Sequence, residues 1–453
     1  MKKLLFFAMA AAGMLTACSN NDNLDATTNN VLSELSQEKI QLGVSTYASA
    51  TTRGTGTVGG INEEDNVWAG QDIWVYMLKK DSMRVAQYVD PEGRGSDIFN
   101  NLRFIAPKAE NSEDATNTGV ATTANGVVGY YPVDGASDFW GYRVDDAVTL
   151  DGESHPAVYM LDSLGDRTTD EGKARKRVVD VTINGTQDIM AGKATLSDEE
   201  VQKMANRPND FYSAYSARKG VQPNIGFEHL LTRFVFKVKA GNKATAGNGD
   251  NTEAVRVTGI SVGSKTKGQL TVAYTGVKPD TLLKFVAQDS TALKLNERVS
   301  DDHNAKLKEI NPTNNNTVAL EWDDEADKAK ELSIGEALLV APGELTYPLT
   351  IDLGQKVVTS GAPADTVSTD MSLRQKTTLK LKDGMRFEAG KSYEVTITIY
   401  GLEKIQVTAT LAPWKDGGKI DIDDDKDPNT SYTEPTTPTT PDEQEPTTPG
   451  EGE

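Results

Sequence analysis

The sequence predicts an all-β protein of two β-sandwich domains with minor helical insertions, on three observations. Apolar and polar residues alternate over short stretches, those stretches are rich in β-branched residues, and Gly, Asn, Asp or Pro separates them. With 453 residues, 37% of them hydrophobic, the chain is long enough to bury two cores.

The elements follow in order. Lys2 and Lys3 precede an apolar run from Leu4 to Leu15, interrupted only by Gly13. That is the length of a signal-peptide core and too short to cross a bilayer as a helix. Thr16 and Ala17 then lead to Cys18, the only cysteine. Small residues before a cysteine suit a lipoprotein-processing peptidase, which needs a diacylated thiol at the cleavage point, and a single cysteine leaves no disulfide partner. Residues 1–18 therefore read as a lipoprotein signal with a lipobox, and Cys18 as the lipid attachment site. Two or more acyl chains there suffice for stable anchoring.

The polar stretch from Ser19 to Ser36 reads as a flexible tether. Ile40, Leu42 and Val44 alternate with polar or small residues and form the first predicted strand. Further strands are expected at 72–78, 177–183, 234–238, 254–262, 270–274 and 394–399. One helix interrupts them: Ser197 stands as N-cap before Asp198, Glu199 and Glu200, Val201 and Met204 follow at helical spacing, and Arg207-Pro208 stops it. The segments divide into a tether and first strand over 19–53, an N-terminal sandwich over 54–285, a C-terminal sandwich over 286–420 and a tail over 421–453. The tail, with its repeated Pro-Thr-Thr-Pro units, cannot build a packed core and reads as disordered.

Charge narrows the function. The net charge is -20, and the eleven carboxylates of the tail against its one Lys426 carry half of it. Nucleic acid is an unsuitable partner, because its phosphates need clustered Lys and Arg. The most basic cluster, Lys173 to Arg177, is flanked by acids and reads as a solvated turn leading into a strand.

Enzyme chemistry finds no support, and no cofactor is implied. His155, His229 and His303 lie far apart, without metal-ligand spacing. Gly54, Gly56 and Gly59 match a dinucleotide-binding spacing, but no hydrophobic helix follows. Neither a Gly-x-Ser-x-Gly elbow nor a second cysteine offers a nucleophile, and acidic pairs such as Asp145-Asp146 and Asp323-Asp324 are common in an acidic chain. Asp423, Asp425, Asp427 and Glu434 reproduce several spacings of a calcium loop, yet Pro428 stands where such a loop needs glycine, so a solvated acidic tail is the preferred reading. Trp68, Trp74, Tyr130, Tyr131, Phe139 and Trp140 fit either a core or a glycan-stacking platform.

Several segments, in order, resemble the fimbrillin-type pilins of Bacteroides and its relatives. They are Asp72-Ile73-Trp74-Val75-Tyr76, Gly129-Tyr130-Tyr131-Pro132, Gln187-Asp188-Ile189-Met190-Ala191, and Phe227-Glu228-His229-Leu230-Leu231-Thr232-Arg233-Phe234. Leu338-Leu339-Val340-Ala341-Pro342, Tyr393-Glu394-Val395-Thr396-Ile397 and Ala412-Pro413-Trp414-Lys415-Asp416-Gly417 complete the set, so the resemblance spans about Ile40 to Gly418.

The resemblance implies tandem transthyretin-like sandwiches, export to the outer membrane as a surface-exposed lipoprotein, and cutting by an arginine-specific protease in a loop after the first strand. Arg53-Gly54 lies just beyond the strand of Ile40, Leu42 and Val44, among small residues. A cut there would remove lipid and strand together, and a strand from another pilin subunit could fill the gap by β-strand addition. Only Ile420 and Ile422 alternate near the C-terminus, so a donor strand there would be short, which favours a tip or accessory subunit over a stalk. The alternative is a surface lipoprotein that does not polymerise and binds glycans or another host or bacterial surface ligand.

Overall fold

The computed structural model describes residues 39–46, 68, 70–79, 99–107, 118–124, 126, 128–132, 135–144, 158–162, 175–204, 212–247, 253–274, 279–298, 307–360, 366–381, 384–402 and 404–412. Strands dominate, and the two α-helices among these residues are short. The chain forms two compact units, and it passes between them repeatedly. The first comprises Met1–Ile183, Gln187–Leu230 and Thr266–Ala287; the second comprises Asn184–Thr186, Leu231–Lys265 and Gln288–Glu453.

In the first unit, strands numbered in chain order are β1 (Leu42–Thr46), β2 (Asp72–Lys79), β3 (Leu102–Ile105), β4 (Thr118–Thr123), β5 (Ser137–Val144), β6 (Val158–Asp162), β7 (Arg175–Thr182), β8 (Ile189–Lys193) and β9 (Asn224–His229). The leaves of the expected sandwich are joined by hydrogen bonds on both sides into a closed barrel, in the order β1-β4-β3-β2-β5-β8-β9. Closure abolishes free sheet edges. A glycine pair permits it: Gly141 and Gly192 face each other across β5 and β8. A Cβ on Gly192 would lie 2.0 Å from the Gly226 carbonyl oxygen, and one on Gly141 would lie 2.6 Å from the Phe227 ring. Only residues without side chains let β9 pass so close. The barrel core joins aliphatic residues to Trp68, Phe99, Phe104, Tyr131, Phe139, Tyr212 and Phe227. A second sheet of this unit runs β13-β12-β7-β6, with β12 (Lys267–Tyr274) and β13 (Leu283–Phe285).

The second unit contains β10 (Thr232–Ala240) and β11 (Arg256–Ser264), which the sequence reading places with the first domain. Their hydrogen bonds decide otherwise. β10 lies between β20 (Leu332–Val340) and β23 (Ser392–Ile399), while β11 pairs with β14 (Thr291–Lys294), β17 (Val318–Ala319) and β21 (Thr346–Ser360). One sheet runs β20-β10-β23-β24, ending on β24 (Ile405–Ala412); the other runs β14-β11-β21-β22, ending on β22 (Thr366–Lys380). Two short antiparallel pairs, β15 (Asn296–Arg298) with β16 (Leu307–Glu309) and β18 (Trp322–Asp323) with β19 (Lys328–Ala329), lie outside these sheets. Phe234 of β10 contacts Tyr347 of β21 edge to face at 5.3 Å, with Phe387 and Tyr393 alongside, so these two sheets share an aromatic core.

The predicted strands at 72–78, 177–183, 234–238, 254–262, 270–274 and 394–399 fall on β2, β7, β10, β11, β12 and β23. The predicted helix forms over Asp198–Lys203. Ser197 accepts the Glu200 N–H while Glu200 accepts the Ser197 N–H, a capping box that satisfies two otherwise unpaired helix-end donors. A second helix, Ala214–Arg218, starts on Ser213 and Ser216 in the same way, without the acidic first turn that marks the other one in the sequence. Arg177 departs from its solvated-turn reading: it is buried, sits 4.7 Å over the Tyr76 ring and donates to Asn100 Oδ1 at 2.8 Å. Burial pushes the Tyr76 phenol up to about 12, with Arg177 opposing.

Candidate functional site

The candidate site is the first strand, β1, and the groove that holds it. The pleat sends alternate side chains to one face, so Ile40, Leu42 and Val44 all point into the barrel core, at 8%, 1% and 0% exposure. Burying three aliphatic side chains of this size contributes on the order of 5–9 kcal/mol before entropic costs. Hydrogen bonding holds the backbone on both sides. β1 runs antiparallel to β4, with Leu42 opposite Ala121 and Val44 opposite Gly119, and parallel to β9, with Val44 opposite Ile225. Ile40 N–H donates to the Gly129 carbonyl at 2.9 Å and Gly43 N–H to the Pro223 carbonyl at 2.8 Å. β1 is thus an interior strand of the barrel. Gly43 fits because a Cβ there would press to 3.1 Å from Asn224 Oδ1, and Asn224 in turn donates to Ser45 Oγ at 3.4 Å.

The groove is lined by Ala121, Ile225 and Phe227, with Trp68 packed edge to face on Phe227 at 5.4 Å. Segments distant in sequence converge on it. Lys39 bridges Tyr130, so the Gly129-Tyr130-Tyr131-Pro132 stretch borders the start of β1. Asp188 and His229 meet nearby on β9 and the lead into β8: Asp188 Oδ2 lies 2.8 Å from His229 Nδ1, and both side chains are buried. Burial alone would raise the Asp188 carboxyl; the electrostatic attraction and hydrogen bond of His229, with Arg143 and the Ile189 N–H, outweigh it and hold that carboxyl below its ordinary range. The pair pins β8 to β9, and β9 is one wall of the groove.

The Phe227-to-Phe234 segment straddles both units. Phe227 and His229 belong to the first unit, while Phe234 anchors the aromatic core of the second. There Phe234 stands opposite Leu338 on one side and Tyr393 on the other, which aligns three of the family-like segments across one sheet. Nothing in the linear spacing of those segments reveals that alignment.

Of the other residues singled out in the sequence, Cys18, Arg53, Gly54, Ile420, Ile422, Asp423, Asp425, Asp427 and Glu434 lie outside the described residues, as do Gly56, Gly59, Asp145, Asp146, His155 and His303. Trp68, Trp74, Tyr131, Phe139 and Trp140 are buried, so they serve as core and not as a stacking platform; Tyr130 alone of that set is exposed. Asp323 caps a turn by accepting the Glu325 and Ala326 N–H groups, and Asp324 pairs with Lys243 at 2.6 Å. Among the described residues no cluster of three or more His, Cys, Asp or Glu side chains could hold a metal ion, and no helix is long and apolar enough to cross a membrane.

Comparison with known proteins places these features in a family context. A family model described as fimbrillin-like matches residues 181–414, more than half of the chain. Among solved structures, a candidate cell adhesion protein from Bacteroides uniformis is 17% identical over 83% of this chain and 98% of its own, with a TM-score of 0.38. The fimbrial anchor protein Mfa2 from Porphyromonas gingivalis is 10% identical over 84% of this chain and 99% of its own, with a TM-score of 0.29. A fimbrial assembly protein from Parabacteroides distasonis is 11% identical over 85% and 99%, with a TM-score of 0.31. No curated protein matches the chain significantly.

Proposed function

The chain belongs to the fimbrillin-like family, and from that premise we propose that it is a structural or adhesive subunit of a cell-surface fimbria, exported as a lipoprotein precursor and assembled by strand exchange. The single observation that carries the proposal is β1. Its three apolar side chains fill the barrel core and its backbone is bonded on both sides, so its removal would open a groove with two unpaired edges and an apolar floor.

Cleavage at Arg53-Gly54 by an arginine-specific protease would detach β1 together with the segment that carries Cys18. A strand from another subunit would then complete the barrel, with β4 and β9 supplying hydrogen bonds and the sites vacated by Ile40, Leu42 and Val44 selecting apolar residues at alternate positions. No catalytic residue is needed. In this reading Cys18 holds the precursor at the outer membrane until the cut. In the same reading the two compact units take the place of the tandem transthyretin-like domains that the family resemblance implies. The short candidate donor of Ile420 and Ile422, followed by the acidic, proline-rich tail, favours a tip or accessory position over a stalk.

The test is to treat folded, unlipidated precursor with a trypsin-like protease and follow cleavage and mass together. The expected result is loss of the segment before Gly54 and the appearance of oligomers, with an Arg53→Ala variant remaining uncut there and monomeric. A chain that is cut at Arg53, releases β1 and stays monomeric, alone and with other pilin subunits, counts against assembly and leaves a surface lipoprotein with a pilin-like fold.

A further inference from the structure

We propose that the β22 edge of the second unit is a symmetric docking surface for a second copy of this chain, the two β22 strands pairing antiparallel about Ser372. This surface is separate from β1, and the proposal stands or falls independently of strand exchange.

β21 and β22 form a hairpin with fifteen residues on each strand. Neighbouring strand β11 accompanies β21 only as far as Gly354, and β22 is the terminal strand of its sheet. The stripe of β22 that faces the core begins with Leu379, buried opposite Tyr347. It passes Gln375, whose side-chain amide donates to the Leu402 carbonyl at 2.7 Å, and then emerges uncovered at Leu373 and Met371, 39% and 49% exposed. An edge strand ordinarily carries devices that discourage pairing, such as brevity, proline or an inward-pointing charge. β22 is long and contains no proline; its charges, Asp370, Arg374, Lys376 and Lys380, all lie on the other face, and Met371 and Leu373, two positions apart, stand where an inward charge would.

The charges on its other face identify the occupant. Asp370 and Arg374 flank Ser372 symmetrically, two positions to either side. In an antiparallel pair centred on Ser372, Asp370 of each copy stands opposite Arg374 of the other, and Met371 of each stands opposite Leu373 of the other. Within one copy, Arg374 already holds Asp352 of β21 through two contacts at 2.6 and 3.1 Å, and Asp370 lies opposite Lys356. Across the seam the row would therefore read Asp352, Arg374, Asp370, Lys356, alternating in sign through four strands. On the opposite face, Leu373 and Met371 from both copies would close into one apolar cluster. A surface complementary to itself under a two-fold rotation is what an isologous dimer requires.

The experiment uses the chain from Ser19 onward with Arg53 intact, so that β1 stays in place, and reads mass against concentration by sedimentation. The expected result is a reversible dimer that weakens about tenfold or more in Asp370→Arg and again in Arg374→Asp, since each turns two attractive cross-strand pairs into two repulsive ones. Mixing those two variants in equal amounts restores dimers. Asp370→Arg carries a cation at both positions and Arg374→Asp an anion at both, so every cross-strand pair between the two is again of opposite sign. Met371→Lys, at an exposed position that leaves the ion pairs alone, also weakens association. Circular dichroism and melting confirm that each variant is folded. A chain that remains monomeric at all concentrations, a dimer indifferent to both charge reversals, or variants that do not complement on mixing would each overturn the proposal.

Discussion

Asp188 and His229 lie 41 positions apart and meet in the first unit with almost no exposure, so losing one partner costs more than breaking a surface ion pair. Removing one partner strands the other; Asp188→Ala is expected to destabilise the first unit by about 3–5 kcal/mol, measured by urea unfolding. Asp188 also makes stability depend on pH. Its folded carboxyl is held lower than in the unfolded chain, so its contribution is complete above the ordinary carboxylate value of about 4 and is lost as pH falls through the lower folded value. Melting curves of the parent chain and Asp188→Asn should therefore diverge above about pH 4 and converge in stronger acid. Equal differences at every pH would show that Asp188 acts through packing alone.

At the scale of elements, β1 and the Asp198–Lys203 helix illustrate two sources of stability. The helix has no buried residue within its span, so its capping box and acidic first turn define it locally. β1 has little local support in five residues; its place is set by the groove, with β4 and β9 on either side and the core beneath. Substitution at Leu42 should show the dependence. Leu42→Ala leaves a void in a fully packed cluster and is expected to cost about 2–5 kcal/mol, while hydrogen exchange at the β1 amides speeds up. Unchanged exchange at Gly43 and Val44 would mean that the backbone ladder alone retains the strand.

The whole molecule is divided by hydrogen bonding and not by chain order. Segment 231–265 lies between stretches of the first unit in sequence, yet its strands are central to both sheets of the second. A fragment ending at Phe285 would contain β10 and β11 without β20, β23 or β21. It would expose Phe234 and Phe236 on unpaired strands, and should aggregate on purification, whereas the full chain from Ser19 stays soluble. A soluble, monomeric fragment with native-like exchange protection in β10 would refute that division.

The sequence by itself determined what depends on neighbours a few residues apart. Alternation in Ile40, Leu42 and Val44 marked a strand with one buried face, and Ser197 with Glu200 marked a helix start, because the pleat and the capping box are local geometries. The family-like segments, too, were legible in order. Tertiary structure decided the rest: that both sides of β1 are bonded, that Asp188 reaches His229, that Gly141 and Gly192 let β9 close the barrel, and that β10 leaves the first unit for the second. Each of these joins backbones or side chains far apart in the chain. An alternating pattern says which face of a strand is buried, but the partner along its edge is chosen by backbone groups that every residue carries alike.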